Sequence, residues 1–370
     1  MRFFPVFMIL LVASCSLHAQ DRIIQYGSPF LLLSPDARAA GMGSAGSSTT
    51  PDYSSPFWNA GKLPFSNPNA ELGIDYASLM PAAGSSARQL WLSGYQKVAE
   101  SHTLGFSLKQ LKYGETTVRD ENGYEIGPGQ TVNPADFMIS ITYAKKLGDR
   151  IAIGISPSYV HSGLAKGLLF DGEVKRAGSA VAVNVGLYGE AHSPMAVFSY
   201  GITINNIGSK LSYGREQLKE FLPMNLRLGA SGKLAPGTQS SITIVLEATK
   251  LLLPTPPVFD TEGNIMKGQN PDKSVPQAIF SSFTDAPGGY KEELKEISPS
   301  LGLEYAFREK LFARAGFTYE AKSKGDNRYS TVGFGFRCQN LSIDFSHLQP
   351  LSSTEMKNSI RRFGLGMLIN

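Results

Sequence analysis

The six residues Gly41 to Gly46, GMGSAG, carry the G-x-G-x-x-G spacing. With that spacing a strand-to-helix turn brings backbone amides onto a dinucleotide pyrophosphate. The chemistry requires a strand before the glycines, a helix after them and an acidic residue about 20 positions on. Before them stands SPDARAA, with Pro35 and no alternating apolar run. After them stands SSTTPDYSSP, in which Ser and Thr fill six of ten positions and Pro two, so no long helix can follow. Glu71 comes 25 residues after Gly46, but it opens a strand of another kind. The stretch therefore reads as small residues able to pack closely against other backbone.

Other chemistry is as poorly supported. His102, His161, His192 and His347 stand alone, and His18 belongs to the leader, so no spacing suits zinc. There is no G-x-S-x-G and no H-E-x-x-H, and the many serines have no paired base. Single charges such as Arg227, Glu247, Glu304, Arg314 and Asp344 are too dispersed to define a catalytic pair. The expectation is a chain that is not an enzyme and takes no metal or cofactor. The net charge of +4 over 370 residues also argues against a nucleic-acid partner, which calls for a dense basic patch.

The elements that hold these residues are strands. LFARAGFTYE puts Leu311, Ala313, Ala315, Phe317 and Tyr319 on one face and Phe312, Arg314, Gly316 and Thr318 on the other. SLGLEYAF, TVGFGFRC and RRFGLGMLIN alternate in the same way. This pattern predicts fourteen strands, near 71–78, 87–97, 101–112, 135–145, 149–161, 178–192, 194–207, 222–233, 238–250, 296–307, 310–321, 328–338, 340–348 and 359–370. Most exceed the ~5–6 residues of soluble strands and suit the ~9–11 of a tilted membrane strand. Short links such as AES, SP, EK and QN alternate with long ones. That is the pattern of an outer-membrane barrel, with short periplasmic turns and longer outside loops, and it puts both barrel ends in the periplasm. A soluble sandwich would carry charge on most of its polar faces. Here those faces are mostly Gly, Ser, Thr and Asn, and the few charges suit salt bridges that fill a lumen.

Residues 1–19 read as an export signal. Arg2 precedes an apolar core, Phe3 to Ala13, and Ala19 offers a cleavage point. The rival reading is lipoprotein processing at Cys15 in VASC. Cleavage after Ala19 leaves Cys338 as the lone cysteine, with no intramolecular disulfide. No later run of 18 apolar residues forms a transmembrane helix.

The longest loop, 251–295, exceeds what an outside loop without function usually needs. It opens on LLLPTPP, with Leu253 and the stiffening Pro254, Pro256 and Pro257. Its middle exposes Ile279, Phe280 and Phe283; Asp285 and the Gly288–Gly289 turn then hold its shape, and KEELKE favours a short helix. Such apolar groups serve either a lid over the barrel or a docking face for another protein.

LLLSPDARAAGMGSAG and FWNAGKL resemble the N-terminal signature of the PorV/PorQ group, FadL-like outer-membrane barrels of Bacteroidetes. LLLPTPP and FSSFTDAPGGYKEELKEI are similar to the PorV branch in particular. WNAGKL departs from the more usual W-N-P-A, with Gly61 supplying the turn, and Asn370 stands where many barrels end on an aromatic. The resemblance implies a fourteen-stranded all-β transmembrane barrel over 71–370. It implies an N-terminal plug or lumen segment over 20–70 that includes Asp36, Arg38, Gly41, Gly43, Gly46, Trp58 and Asn59. It further implies a component of the type IX secretion system in the bacterial outer membrane. That component would bind the C-terminal domains of exported cargo at a SprA/Sov-like translocon and pass them to a PorU-like sortase, with outer-membrane lipid around it. Two other expectations stay open: a FadL-like transporter of hydrophobic small molecules and, last, a lipopolysaccharide deacylase, for which no nucleophile and base are arranged.

Overall fold

In the computed structural model, antiparallel pairing runs through fourteen strands and returns on itself. The structure describes residues 22–79, 87–117, 131–164, 169–170, 173–174, 176–213, 219–235, 239–352 and 359–369. The expected export signal, Cys15 and Asn370 lie outside them. The strands are β1 (Ala70–Leu79), β2 (Ala87–Ala99), β3 (His102–Lys112), β4 (Ala135–Lys146), β5 (Ile151–Ser162), β6 (Gly178–Ser193), β7 (Ala196–Gly208), β8 (Asn225–Leu234), β9 (Ser240–Leu251), β10 (Ile297–Phe307), β11 (Leu311–Thr318), β12 (Tyr329–Cys338), β13 (Leu341–Pro350) and β14 (Ile360–Ile369). β1 pairs with both β2 and β14, which closes the barrel and leaves no edge.

Each expected strand is present, with ends displaced by three residues at most. The larger displacements have local causes. β8 starts at Asn225 because Pro223, just before it, has no amide to donate. β11 stops at Thr318 because the chain then turns into the short helix Lys322–Lys324. The long connections carry small hairpins of their own, such as Val258–Phe259 with Ile265–Lys267.

Alternation sorts side chains by face. In β9, Ile242, Ile244 and Leu246 are exposed on the outer wall, while Ser241, Thr243, Val245 and Glu247 are buried inward. The other strands follow suit, giving an apolar outer surface and a polar interior. Among the described residues no helix is long and apolar enough to cross a membrane. The span is made by strands, each paired with both neighbours around the closed ring.

The interior is filled by the N-terminal segment. It enters at the long-loop end, where Gly27 donates to the carbonyl of Phe221. Phe30 and Leu31 then pack with Trp91, Leu111, Met138 and Leu222. Helix α1 (Ala37–Gly41) lies on β12 and β13, and helix α2 (Ser55–Trp58) leads into a short helix, Ala60–Phe65, against β4 to β6. The segment leaves at the short-turn end, where Lys97 Nζ holds the carbonyl of Ser66.

Candidate functional site

Inside the lumen, glycine faces glycine. Gly43 takes a left-handed φ of 66°, donates to Thr331 Oγ1 at 3.0 Å and accepts from Thr318 Oγ1 at 2.6 Å. A Cβ on Gly43 would come within 2.9 Å of the backbone of Leu301 and Phe317. On the wall, Gly316 lies against Gly43, Gly302 against Met42 and Gly333 against Gly41. Gly46 is covered by the ring of Trp58, with no room for a Cβ. The fingerprint spelling thus serves close packing between two backbones.

Charges knit the segment to the wall. Arg38 reaches Asp52 at 2.8 Å and Glu304 at 3.2 Å, and Glu304 also receives Arg314 at 2.7 Å. Arg314 continues to Asp344. Arg227 pairs with Glu247 at 3.0 Å, and Glu247 accepts from the amides of Gly46 and Ser47. The dispersed strand charges are therefore lumen salt bridges. Asp36 caps α1 through the Ala39 amide and accepts from Trp58 Nε1 at 2.5 Å. Asn59 donates to the carbonyls of Ser47, in the segment, and Leu187, in the wall. Gly61 lies in the turn that the Lys62 amide closes onto the Asn59 carbonyl at 3.1 Å; its φ is not left-handed, and a Cβ there would lie 3.0 Å from Ala152 and Tyr188 backbone.

The long loop has a buried side and an exposed side. Helix α3 (Val275–Ser281) starts at Ser274, whose amide donates to Gln277 Oε1 at 3.0 Å. Its inner face presents Ala278, with Val275 and Ile279 half-buried, against Leu252, Leu253 and Met224. Leu253, Pro254 and Pro257 are buried and Pro256 is half-buried, so this stretch is mostly the loop's own core. The prolines are thus largely covered, whereas Phe280 is 78% exposed, Phe283 47% and Tyr290 75%. Asp285 is buried, 3.8 Å from Lys273, and burial pushes its carboxyl up despite that cation. Gly289, φ 63°, turns the chain into helix α4 (Tyr290–Glu293), and the Gly288 amide donates to Glu292 at 2.7 Å. The loop residues expected to act together thus share one folded unit.

Sequence reasoning missed what this unit rests on. Ile24 is part of its core, and Arg22 forms a two-bond pair with Glu292. Lys324 holds Glu292 and Glu296, each at 2.7 Å, and Lys250 holds Glu293 and Glu296. Burial opposes the charge on Glu292, but Arg22, Lys324 and the Gly288 amide outweigh it and hold its carboxylate at about 2. The acidic spacing in KEELKE was visible; its basic partners, on three distant segments, were not. Among the described residues no group of His, Cys, Asp and Glu could hold a metal ion.

The family model for type IX secretion system protein PorV matches residues 16–258. No curated protein matches the sequence. Among solved structures, the Pseudomonas putida toluene transporter TodX is similar at 12% identity, covering 94% of this chain and 98% of its own, with a TM-score of 0.54. The Ralstonia pickettii toluene transporter TbuX is similar at 13% identity, covering 90% and 98%, with a TM-score of 0.52. The CymD monoaromatic hydrocarbon channel is similar at 12% identity, covering 92% and 98%, with a TM-score of 0.54. At such identities these likenesses speak to the fold alone.

Proposed function

The chain belongs to the type IX secretion system PorV family, an outer-membrane component of that system, and from this premise we propose that its long outside loop receives exported cargo. In this reading the barrel is a rigid, non-catalytic platform and residues 1–19 are its export signal. The loop binds the C-terminal domain of cargo at a SprA/Sov-like translocon and hands it to a PorU-like sortase. The single observation that carries the reading is the loop's two-sidedness: a packed inner face, and Phe280, Phe283 and Tyr290 left outside. Exposed aromatics on a rigid base are what an interface hot spot requires. In this reading Asp285, next to Lys273, and the Gly288–Gly289 turn shape the loop.

The test is affinity purification from the native outer membrane, with the full chain beside a variant in which 258–289 is replaced by a short linker. The full chain should retain cargo, translocon or sortase, and the inserted variant should lose them. Equal retention by a correctly inserted variant overturns the reading.

A second reading, transport of a hydrophobic small molecule, is favoured by the apolar cluster at the upper lumen, where Phe30 and Leu31 sit on Trp91, Leu111 and Met138. The toluene transporters share the fold. Uptake of labelled toluene that falls on deletion, with secretion intact, would establish this reading in place of the first.

A further inference from the structure

On the outer wall at the short-turn end, the side chains of β10 to β13 leave a cavity of about 580 Å³. Tyr305 and Phe307 from β10, Leu311 from β11, Phe334 and Phe336 from β12 and Ile343 from β13 frame it. The register explains the hollow. Tyr305, Ala313, Phe334 and Phe345 lie side by side across four strands, and in that row of large rings Ala313 alone is small. One row nearer the turn, Phe307, Leu311, Phe336 and Ile343 form the lip. This surface is predominantly apolar, and its volume falls within the ~300–1,000 Å³ of small-molecule sites.

The lip ends at a basic turn. Arg308 holds its guanidinium 5.2 Å from the centre of the Phe307 ring, and its Nε donates to Gln239 Oε1 at 3.3 Å. Lys310 is exposed beside it. The one carboxylate of the turn, Glu309, is taken by Lys233 at 2.9 Å and by Ser241. Among the described residues no carboxylate pairs with Arg308 or Lys310. An apolar hollow that opens at two uncompensated cations matches an amphiphile with an anionic head and a hydrocarbon tail. A peptide fits less well, because the closed sheet has no edge to pair with its backbone, whose polar groups would go unsatisfied in hydrocarbon.

We propose that this hollow holds one anionic phospholipid of the periplasmic leaflet, an acyl chain over Ala313 and the phosphate on Arg308 and Lys310. The short-turn end is the periplasmic end, so the basic turn lies at the level of that leaflet's headgroups.

The test is native mass spectrometry of the full chain released from nanodiscs containing palmitoyl-oleoyl phosphatidylglycerol and the matching phosphatidylethanolamine in equal amounts. The wild type should retain a single phosphatidylglycerol in preference to phosphatidylethanolamine. Arg308→Gln and Lys310→Gln should each reduce that preference about fivefold, the effect of one basic group near an anionic lipid. Ala313→Phe, which fills the hollow, should abolish retention of both lipids while heat-modifiable gel mobility reports an intact barrel. Retention that is unselective between headgroups, or unchanged in Ala313→Phe, overturns the proposal. So does a photo-crosslinker at Phe334 that captures protein instead of lipid in native membranes.

Discussion

Arg22 donates from Nε and Nη2 to the two carboxylate oxygens of Glu292, at 2.9 and 2.7 Å, across 270 positions of sequence. The start of the described chain is thereby a support for the long outside loop. Ile24 adds an apolar contact to Leu252, Leu253 and Ala278 beneath the same loop.

Arg22→Ala should loosen the loop without opening the barrel. Hydrogen bonds to charged groups contribute about 1.5–3 kcal/mol, less where water screens a partly exposed pair, so loop cleavage by a protease should speed up about fivefold. Limited proteolysis of inserted protein, with the barrel fragment followed by gel mobility, reads both effects. Unchanged cleavage would mean that Ile24 alone holds the segment.

The same pair sets a pH dependence. Glu292 is held at about 2, below its ordinary 4.5, so its charge stabilises the folded loop fully above about 4.5. That contribution should fade as pH falls from about 4.5 toward 2. Loop protection measured by hydrogen exchange across this window should decline in the wild type. Glu292→Gln should start lower and lose most of the slope.

Gly43→Ala and Gly46→Ala should impair barrel assembly. The first puts a side chain at φ 66° and 2.9 Å from wall backbone; the second drives a Cβ into the Trp58 ring. Strain and overpacking each cost about 1–3 kcal/mol. The expected result is less folded barrel in the outer membrane and a lower melting temperature by heat-modifiable mobility. Gly148→Ala, with open space around it and no left-handed φ in an exposed turn, is the control for assembly.

Glu304→Gln should be more damaging than any rim substitution. Glu304 sits between part-buried Arg38 and buried Arg314, and its loss leaves both guanidinium groups short of a partner, at about 3–5 kcal/mol. Glu309→Gln breaks the exposed pair with Lys233 and should cost under about 1 kcal/mol. Denaturant unfolding followed by fluorescence of Trp58 and Trp91 ranks the two.

Phe280→Ala and Tyr290→Ala should weaken retention of a cargo C-terminal domain about tenfold or more each, as expected where an aromatic is an interface anchor. Both side chains are exposed, so the loop itself should keep its protection against protease. Binding by surface plasmon resonance to nanodisc-held barrel is the measurement.

The sequence by itself determined the barrel. Period-two alternation is local, and it set which residues face lipid and which face inward; the short and long links set which end carries the loops. It also argued against a nucleotide site, because no alternating strand precedes Gly41 to Gly46 and no long helix can follow them. Only the tertiary structure decided what those glycines pack against, since Gly302, Gly316 and Gly333 lie far along the chain and meet them only when the barrel closes. The ion network under the long loop was out of reach for the same reason. Arg22, Lys250, Glu292 and Lys324 belong to four separate segments, and charges pair through space, not along the sequence.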